Sequence, residues 1–191
     1  MRKGKVRGVN RTRSLVLIGL AIALLAVGAF ITIPLGPIPF TLQTLMLVVT
    51  ILVLSPAEAL AAVGGYLVLG AIGLPIFSGM RGGLGVLAGP TGGFLIGFFL
   101  GALIAGLIRS MVKQSTQRIG VIMAVDIVAA VAVVLMYYIA GVFFFDVVTS
   151  SGLETALLTC VIPFVIPDVI KVVIALICAK PIRAVIGRDV T

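Results

Sequence analysis

The stretch Pro163-Phe164-Val165-Ile166-Pro167-Asp168-Val169-Ile170-Lys171 sets an acid and a base inside an otherwise apolar run. If a helix starts at Pro167, Asp168 and Lys171 lie three residues apart on one face, within salt-bridge reach. Proline suits a first helical position, where its missing N–H costs nothing, and the positive end of the helix dipole favours Asp168 as a carboxylate. The surrounding run from Thr155 to Ile186 is 32 residues long, and one straight helix of that length would measure about 48 Å. Pro163 and Pro167 therefore break it into a short outer segment, Thr155–Ile162, and a last span from Pro167 to about Lys180, with Pro181 ending or kinking it. Two readings of the charged pair remain open. One is a ligand site, with a carboxylate to accept hydrogen bonds and an ammonium to donate them from a dry wall. The other is an internal ion pair that only fixes the helix, although such a pair is often no gain over apolar packing.

Composition identifies that wall as membrane protein. Of 191 residues, 61% are hydrophobic and 10% charged, with a mean hydropathy of +1.35. Those values lie outside the soluble globular range and indicate a polytopic, all-α membrane protein. The 14 Lys+Arg against 6 Asp+Glu read as topology and contact with anionic membrane lipid, and no nucleic-acid motif accompanies them. The basic start before the apolar run Leu15–Ile33 resembles a signal peptide, but the run is too long and lacks a small-residue cleavage site, so it is kept as the first span. Cys160 and Cys178, with no His in the chain, make neither a disulfide framework nor a zinc site and read as packing residues.

In chain order, the first span is Ser14–Ile33, where Gly19 and Ala23 form a small-xxx-small pair. That pair serves either docking of a partner subunit or packing within the bundle. The prolines of Pro34–Pro39 make a stiff loop. Phe40–Leu54 is a short second span with Thr41, Gln43 and Thr44 at its start; a buried Gln43 is either a cavity group or a polar cross-link. Ser55-Pro56-Ala57-Glu58 is a capping box that accounts for Glu58. The third span runs to about Leu74, with Gly64 and Gly65 on a flat face. Pro75–Gly93 is rich in glycine and carries Arg81, which suits either an anion-binding nest or a flexible outer connection. Thr91–Val112 is a fourth span with small residues at Gly97, Gly101, Ala105 and Gly106. After a basic connection containing Arg109, Lys113 and Arg118, a fifth span covers Gly120 to about Phe145. Asp126 near its start is explained by helix dipole and ion pairing, and Tyr137, Tyr138 and Phe143–Phe145 suit the opposite membrane interface.

Six spans place the three basic segments, the N-terminal tail, the fourth-to-fifth connection and the C-terminal tail, on one side, which the positive-inside rule makes cytoplasmic. The expected organisation is a basic tail at 1–13, a membrane domain at 14–186 and a cytoplasmic tail at 187–191. The loops at Pro34–Pro39, Pro75–Gly93 and Asp146–Ile166 then face outward, where Gln43, Arg81, Asp168 and Lys171 can converge. Such a pocket suits a small, partly apolar molecule with N–H donors, acceptors and an anionic tail. With no nucleophile–base pair, metal-ligand cluster or nucleotide motif, the chain reads as a non-enzyme.

Read together, IPFTLQT, LGAIGLPIFSG, GGLGVLAGPTGGFLIGF and PFVIPDVIK resemble the biotin-specific substrate-binding subunit (S component, BioY family) of energy-coupling factor transporters, over about residues 15–186. The resemblance implies six membrane helices and a high-affinity outward pocket for biotin in a prokaryotic cell membrane. It also implies partners: a transmembrane coupling subunit and two cytoplasmic ATPases, which use ATP while this chain binds no cofactor. By the same resemblance Asp168 accepts a ureido N–H and Lys171 bonds the ureido carbonyl. Thr41 and Gln43 add polar contacts, and the carboxylate tail meets the Ser78–Gly83 loop, with Gly79, Met80, Arg81, Gly82 and Gly83. Gly19 and Ala23 are a partial version of the family's docking pattern. The implied mechanism is capture from outside, closure of the Pro34–Pro39 and Gly79–Gly83 loops, and reorientation by the coupling subunit. The competing classes are a solitary proton-coupled carrier titrating Asp126 or Asp168, and a scaffold that binds no small molecule.

Overall fold

The structure is a computed structural model that describes residues 3–111 and 119–187. In chain order it has α1 (Lys3–Phe30), β1 (Thr32–Ile33), β2 (Phe40–Thr41), α2 (Gln43–Val53), α3 (Pro56–Ala71), α4 (Leu84–Leu87), α5 (Gly92–Met111), α6 (Ile119–Thr149), α7 (Leu153–Cys160) and α8 (Val165–Val185). Among the described residues the named elements are helices apart from one small hairpin, in which Thr32 pairs with Thr41 and Ile33 with Phe40 around the proline loop. That hairpin corrects the expected first span: α1 stops at Phe30 because the next residues enter a sheet. Lys113, Arg118 and Arg188 lie outside the described residues.

Among the described residues, α1 from Arg11, α5 and α6 are long and apolar enough to cross a membrane, and α7 with α8 makes a fourth candidate bent by 48°. The chain is thus a membrane protein. Six spans are not reached by length alone, since the 11 residues of α2 and 16 of α3 measure only about 16 and 24 Å against a core of about 30 Å. Helix α2 compensates by position. Leu47, Val48, Ile51 and Leu52 are all fully buried, so it runs through the middle of the bundle with α1, α6 and α8 around it.

Glycines set how closely the other helices approach. A Cβ on Gly97 would stand 2.6 Å from Tyr137 Cα, and one on Gly101 3.1 Å from Val133 Cα. Helices α5 and α6 therefore meet backbone to backbone, as small-residue faces permit in membranes. Gly64 faces Phe99 and Gly65 faces Ile22, so the flat face of α3 sits between α5 and α1. A Cβ on Gly19 would meet no other part of the protein within 4 Å, and both Gly19 and Ala23 are exposed. Packing of this pair within the bundle is thereby excluded.

Three helix ends differ from expectation. Helix α8 begins at Val165, placing Pro167 in its first turn, where the N–H groups have no intrahelical partner in any case. It continues through Pro181 because the following Arg183 ties the last turn down, donating to Leu52 O at 2.8 Å and Asp126 Oδ2 at 2.6 Å. Helix α6 starts at Ile119, so Asp126 sits two turns inside it; the ion-pair explanation holds and the dipole explanation does not. The capping box forms: the backbone N–H and hydroxyl of Ser55 donate to Glu58 Oε2 at 3.1 and 2.6 Å. Ser14 also donates to that carboxylate, which joins α1 to the α2–α3 turn.

Candidate functional site

The first two turns of α8 carry Asp168 and Lys171 into the interior, where they are only 2% and 5% exposed. Lys171 Nζ donates to Asp168 Oδ1 at 2.8 Å. Asp168 Oδ2 accepts hydroxyl hydrogen bonds from Tyr137 and from Tyr138, the latter at 2.7 Å. Three donors thus surround the carboxylate in a place where an unpaired charge would cost several kcal/mol, on the order of the penalty per buried ion. On its other side Lys171 Nζ lies 4.0 Å from the centre of the Phe40 ring, a cation–π contact.

The two tyrosines come from α6, the expected fifth span, but instead of facing a membrane interface both turn their hydroxyls inward to Asp168, and Tyr137 is buried. Consecutive helical residues normally diverge by about 100°, yet both hydroxyls reach one oxygen because the rings stack, with centroids 4.4 Å apart. Phe94 and Phe98 of α5 pack on Tyr137 at 5.6 and 5.8 Å. The close α5–α6 contact at Gly97 makes this cluster possible.

Asp168, Lys171 and Tyr137 form one wall of a cavity whose other polar members include Thr41, Thr44, Ser78, Arg81 and Thr91. Ile38, Phe77, Phe94, Leu95, Phe98 and Phe164 supply its apolar surface. Its volume is about 70 Å³, and it opens to solvent. An apolar cleft with a few convergent polar groups is the usual form of a small-molecule site.

Two loops meet over the mouth. The β1–β2 hairpin contributes Ile38 and Pro39, and Thr32 Oγ1 stands 3.3 Å from Ser78 Oγ of the glycine-rich segment. That segment is not a loose connection. Phe77 and Arg81 pair through N–H···O bonds of 2.9 and 3.3 Å, around a turn with Gly79 at φ 72° and Met80 at φ 55°. Phe77 is buried against Gly70, where a Cβ would fall 2.1 Å from the ring. Tyr66 donates to Ile76 O at 2.9 Å and accepts from Gln43 Nε2 at 2.7 Å. The N–H groups of Arg81 and Gly83 bond Phe77 O and Gly70 O, so they are not turned toward an anion.

Of the residues singled out from sequence, Thr41, Arg81, Asp168 and Lys171 are brought to the cavity. Gln43 is the cross-link of its two alternatives, holding α2 to Tyr66 of α3. Gly79, Met80, Gly82 and Gly83 shape the turn that presents Arg81; Met80 itself is 67% exposed. Ser78, in the loop expected at the ligand's tail, also lines the cavity, whereas Thr44, Thr91, Tyr137 and Tyr138 were missed. A hydroxyl pair within an apolar α6 was the available signal, but its partner lies 30 residues further along the chain. Arg109, expected in a loop, instead belongs to α5 and donates to the carbonyls of Leu54 at 2.9 Å and Leu52 at 3.1 Å. With Arg183 and Asp126 it closes the end of α2 away from the cavity. Among the described residues no group of three or more His, Cys, Asp or Glu is placed to hold a metal ion.

Known proteins are similar to this chain in sequence and in fold. The BioY family matches residues 2–188. A biotin transporter BioY of Rhodobacter capsulatus is 36% identical over 144 residues, covering 74% of each chain. One from Thermotoga maritima is 49% identical over 85 residues, 44% of this chain and 50% of that protein. The chain spans about half the length of that relative and of a probable biotin transporter BioY from Pyrococcus horikoshii, of which 53% is covered. In fold it is similar to the crystal structure of the S-component for biotin from an ECF-type ABC transporter, with a TM-score of 0.79 over 94% of both chains at 22% identity. From a match over nearly its full length, this chain belongs to the BioY family.

Proposed function

We propose that this chain is the biotin-capturing membrane subunit of an energy-coupling factor importer. The observation that carries the proposal is the buried Asp168–Lys171 pair on the wall of an otherwise apolar cavity. A ureido ring presents an N–H beside a carbonyl, the complement of a carboxylate beside an ammonium. Biotin's bicycle matches the phenylalanine-lined wall, and its carboxylate tail points toward the mouth, where Arg81 and Thr41 stand. Gln43, Gly79, Met80, Gly82 and Gly83 serve the ligand by fixing α2 and the turn around Arg81. Entry requires the Thr32–Ser78 contact to part, after which the two loops close over the ligand.

Release inward is then the work of partners. The exposed Gly19 and Ala23 face of α1 docks the transmembrane coupling subunit, and two cytoplasmic ATPases hydrolyse ATP; this chain is not an enzyme and binds no cofactor. The membrane domain covers residues 14–186 of a prokaryotic cell membrane protein with both termini cytoplasmic. The carrier reading loses Asp126, which is engaged by Arg183 at 2.6 Å. Accumulation of labelled biotin in cells expressing this chain with and without the coupling subunit and ATPases tests the proposal. Uptake that needs all of them supports it; uptake that persists without them and collapses with an uncoupler contradicts it.

A further inference from the structure

We infer that Tyr137 and Tyr138 determine the ligand specificity of the Asp168–Lys171 pair: by filling one carboxylate oxygen they make the site accept a neutral urea edge and reject a cationic guanidine. The inference rests on the biotin reading above. A carboxylate offers about four lone-pair positions. In this structure both hydroxyls converge on Oδ2 of Asp168, and Lys171 takes one position on Oδ1. One position on Oδ1 remains for a ligand.

A urea edge fits that remainder, with one N–H to Oδ1 and the carbonyl to the ammonium. A protonated guanidine does not. It presents parallel N–H donors that bind a carboxylate best as a two-pronged fork across both oxygens, and here Oδ2 is taken. Its cation would also meet Lys171 head on, with an aspartate already satisfied by three donors. The rings are held for this role by packing, since Tyr137 is wedged among Phe94, Phe98 and Tyr138. Tyr137 is 6% exposed, whereas Tyr138 is half-buried at the edge of the cluster.

The test compares biotin with its cyclic guanidine analogue, in which an imino group replaces the urea oxygen, at neutral pH on the purified full chain. Equilibrium dissociation constants are measured for wild type, Tyr138→Phe, Tyr137→Phe and the double variant. The wild type is expected to prefer biotin strongly, and the ratio of the two constants is expected to fall by about tenfold in the double variant, equivalent to 1.4 kcal/mol, with each single variant showing part of the fall. Where the double variant does not fold, Tyr138→Phe decides, because it removes one hydroxyl from the cluster edge and keeps the stacked ring. Equal weakening of both ligands, with the ratio unchanged, is what a merely structural role gives and overturns the inference alone. A folded wild type that binds neither ligand overturns the biotin reading as well.

Discussion

Replacing Lys171 with Met should destabilise the protein more than replacing the whole charged pair. Lys171→Met leaves Asp168 buried without its counter-charge, and breaking a buried pair in this way typically costs about 3–5 kcal/mol. Asp168 keeps the hydroxyls of Tyr137 and Tyr138, each worth about 1.5–3 kcal/mol as a hydrogen bond to a charged group, so the cost belongs at the lower end, about 3 kcal/mol. In the double variant Asp168→Asn, Lys171→Met no net charge is buried and the tyrosines still find a carbonyl oxygen to donate to. It should recover about 2 kcal/mol of the loss, which appears as a coupling energy in a double-mutant cycle. The assay is reversible unfolding in mixed detergent micelles for wild type, both single variants and the double. A double variant no more stable than Lys171→Met would show that the ion pair does not bear on the fold in the manner argued.

Three further outcomes follow from the geometry. Gly97→Val should destabilise the α5–α6 contact by about 1–3 kcal/mol, the usual range for overpacking, because its side chain would drive into Tyr137 Cα at 2.6 Å; the same unfolding assay reads it, and a neutral effect would contradict the close approach. Arg183→Gln should cost more stability than Lys180→Gln, because Arg183 both pairs Asp126 and satisfies the Leu52 carbonyl, whereas Lys180 is exposed. Thr32→Cys with Ser78→Cys should form a disulfide across the mouth, since the oxygens they replace are 3.3 Å apart. Oxidation should then slow biotin association, and reduction should restore it; unchanged association on oxidation would place the entry route elsewhere.

The apolar runs made the long helices legible, and α5 and α6 begin and end within a few residues of the expected spans. The Asp168–Lys171 pair was legible because i,i+3 spacing is a local property of a helix. What sequence did not reveal depends on contacts between distant segments. Nothing local to Tyr137 and Tyr138 says that α5 approaches closely enough at Gly97 to stack them under Asp168. Arg109 reads as one more basic residue before a loop until the open end of α2 is found beside it, with carbonyls that require donors. The hairpin was hidden by its size, since two-residue strands carry no alternation to detect. Gln43 was left between two roles because choosing required the position of Tyr66, on another helix.

The central claim is that biotin binds at Asp168 and Lys171, and equilibrium binding of labelled biotin to the purified protein in detergent tests it most directly. The account predicts saturable one-to-one binding that Asp168→Asn and Lys171→Met each weaken by about tenfold or more, equivalent to at least 1.4 kcal/mol. A folded wild-type protein that binds no biotin, or one whose affinity both substitutions leave unchanged, would contradict it.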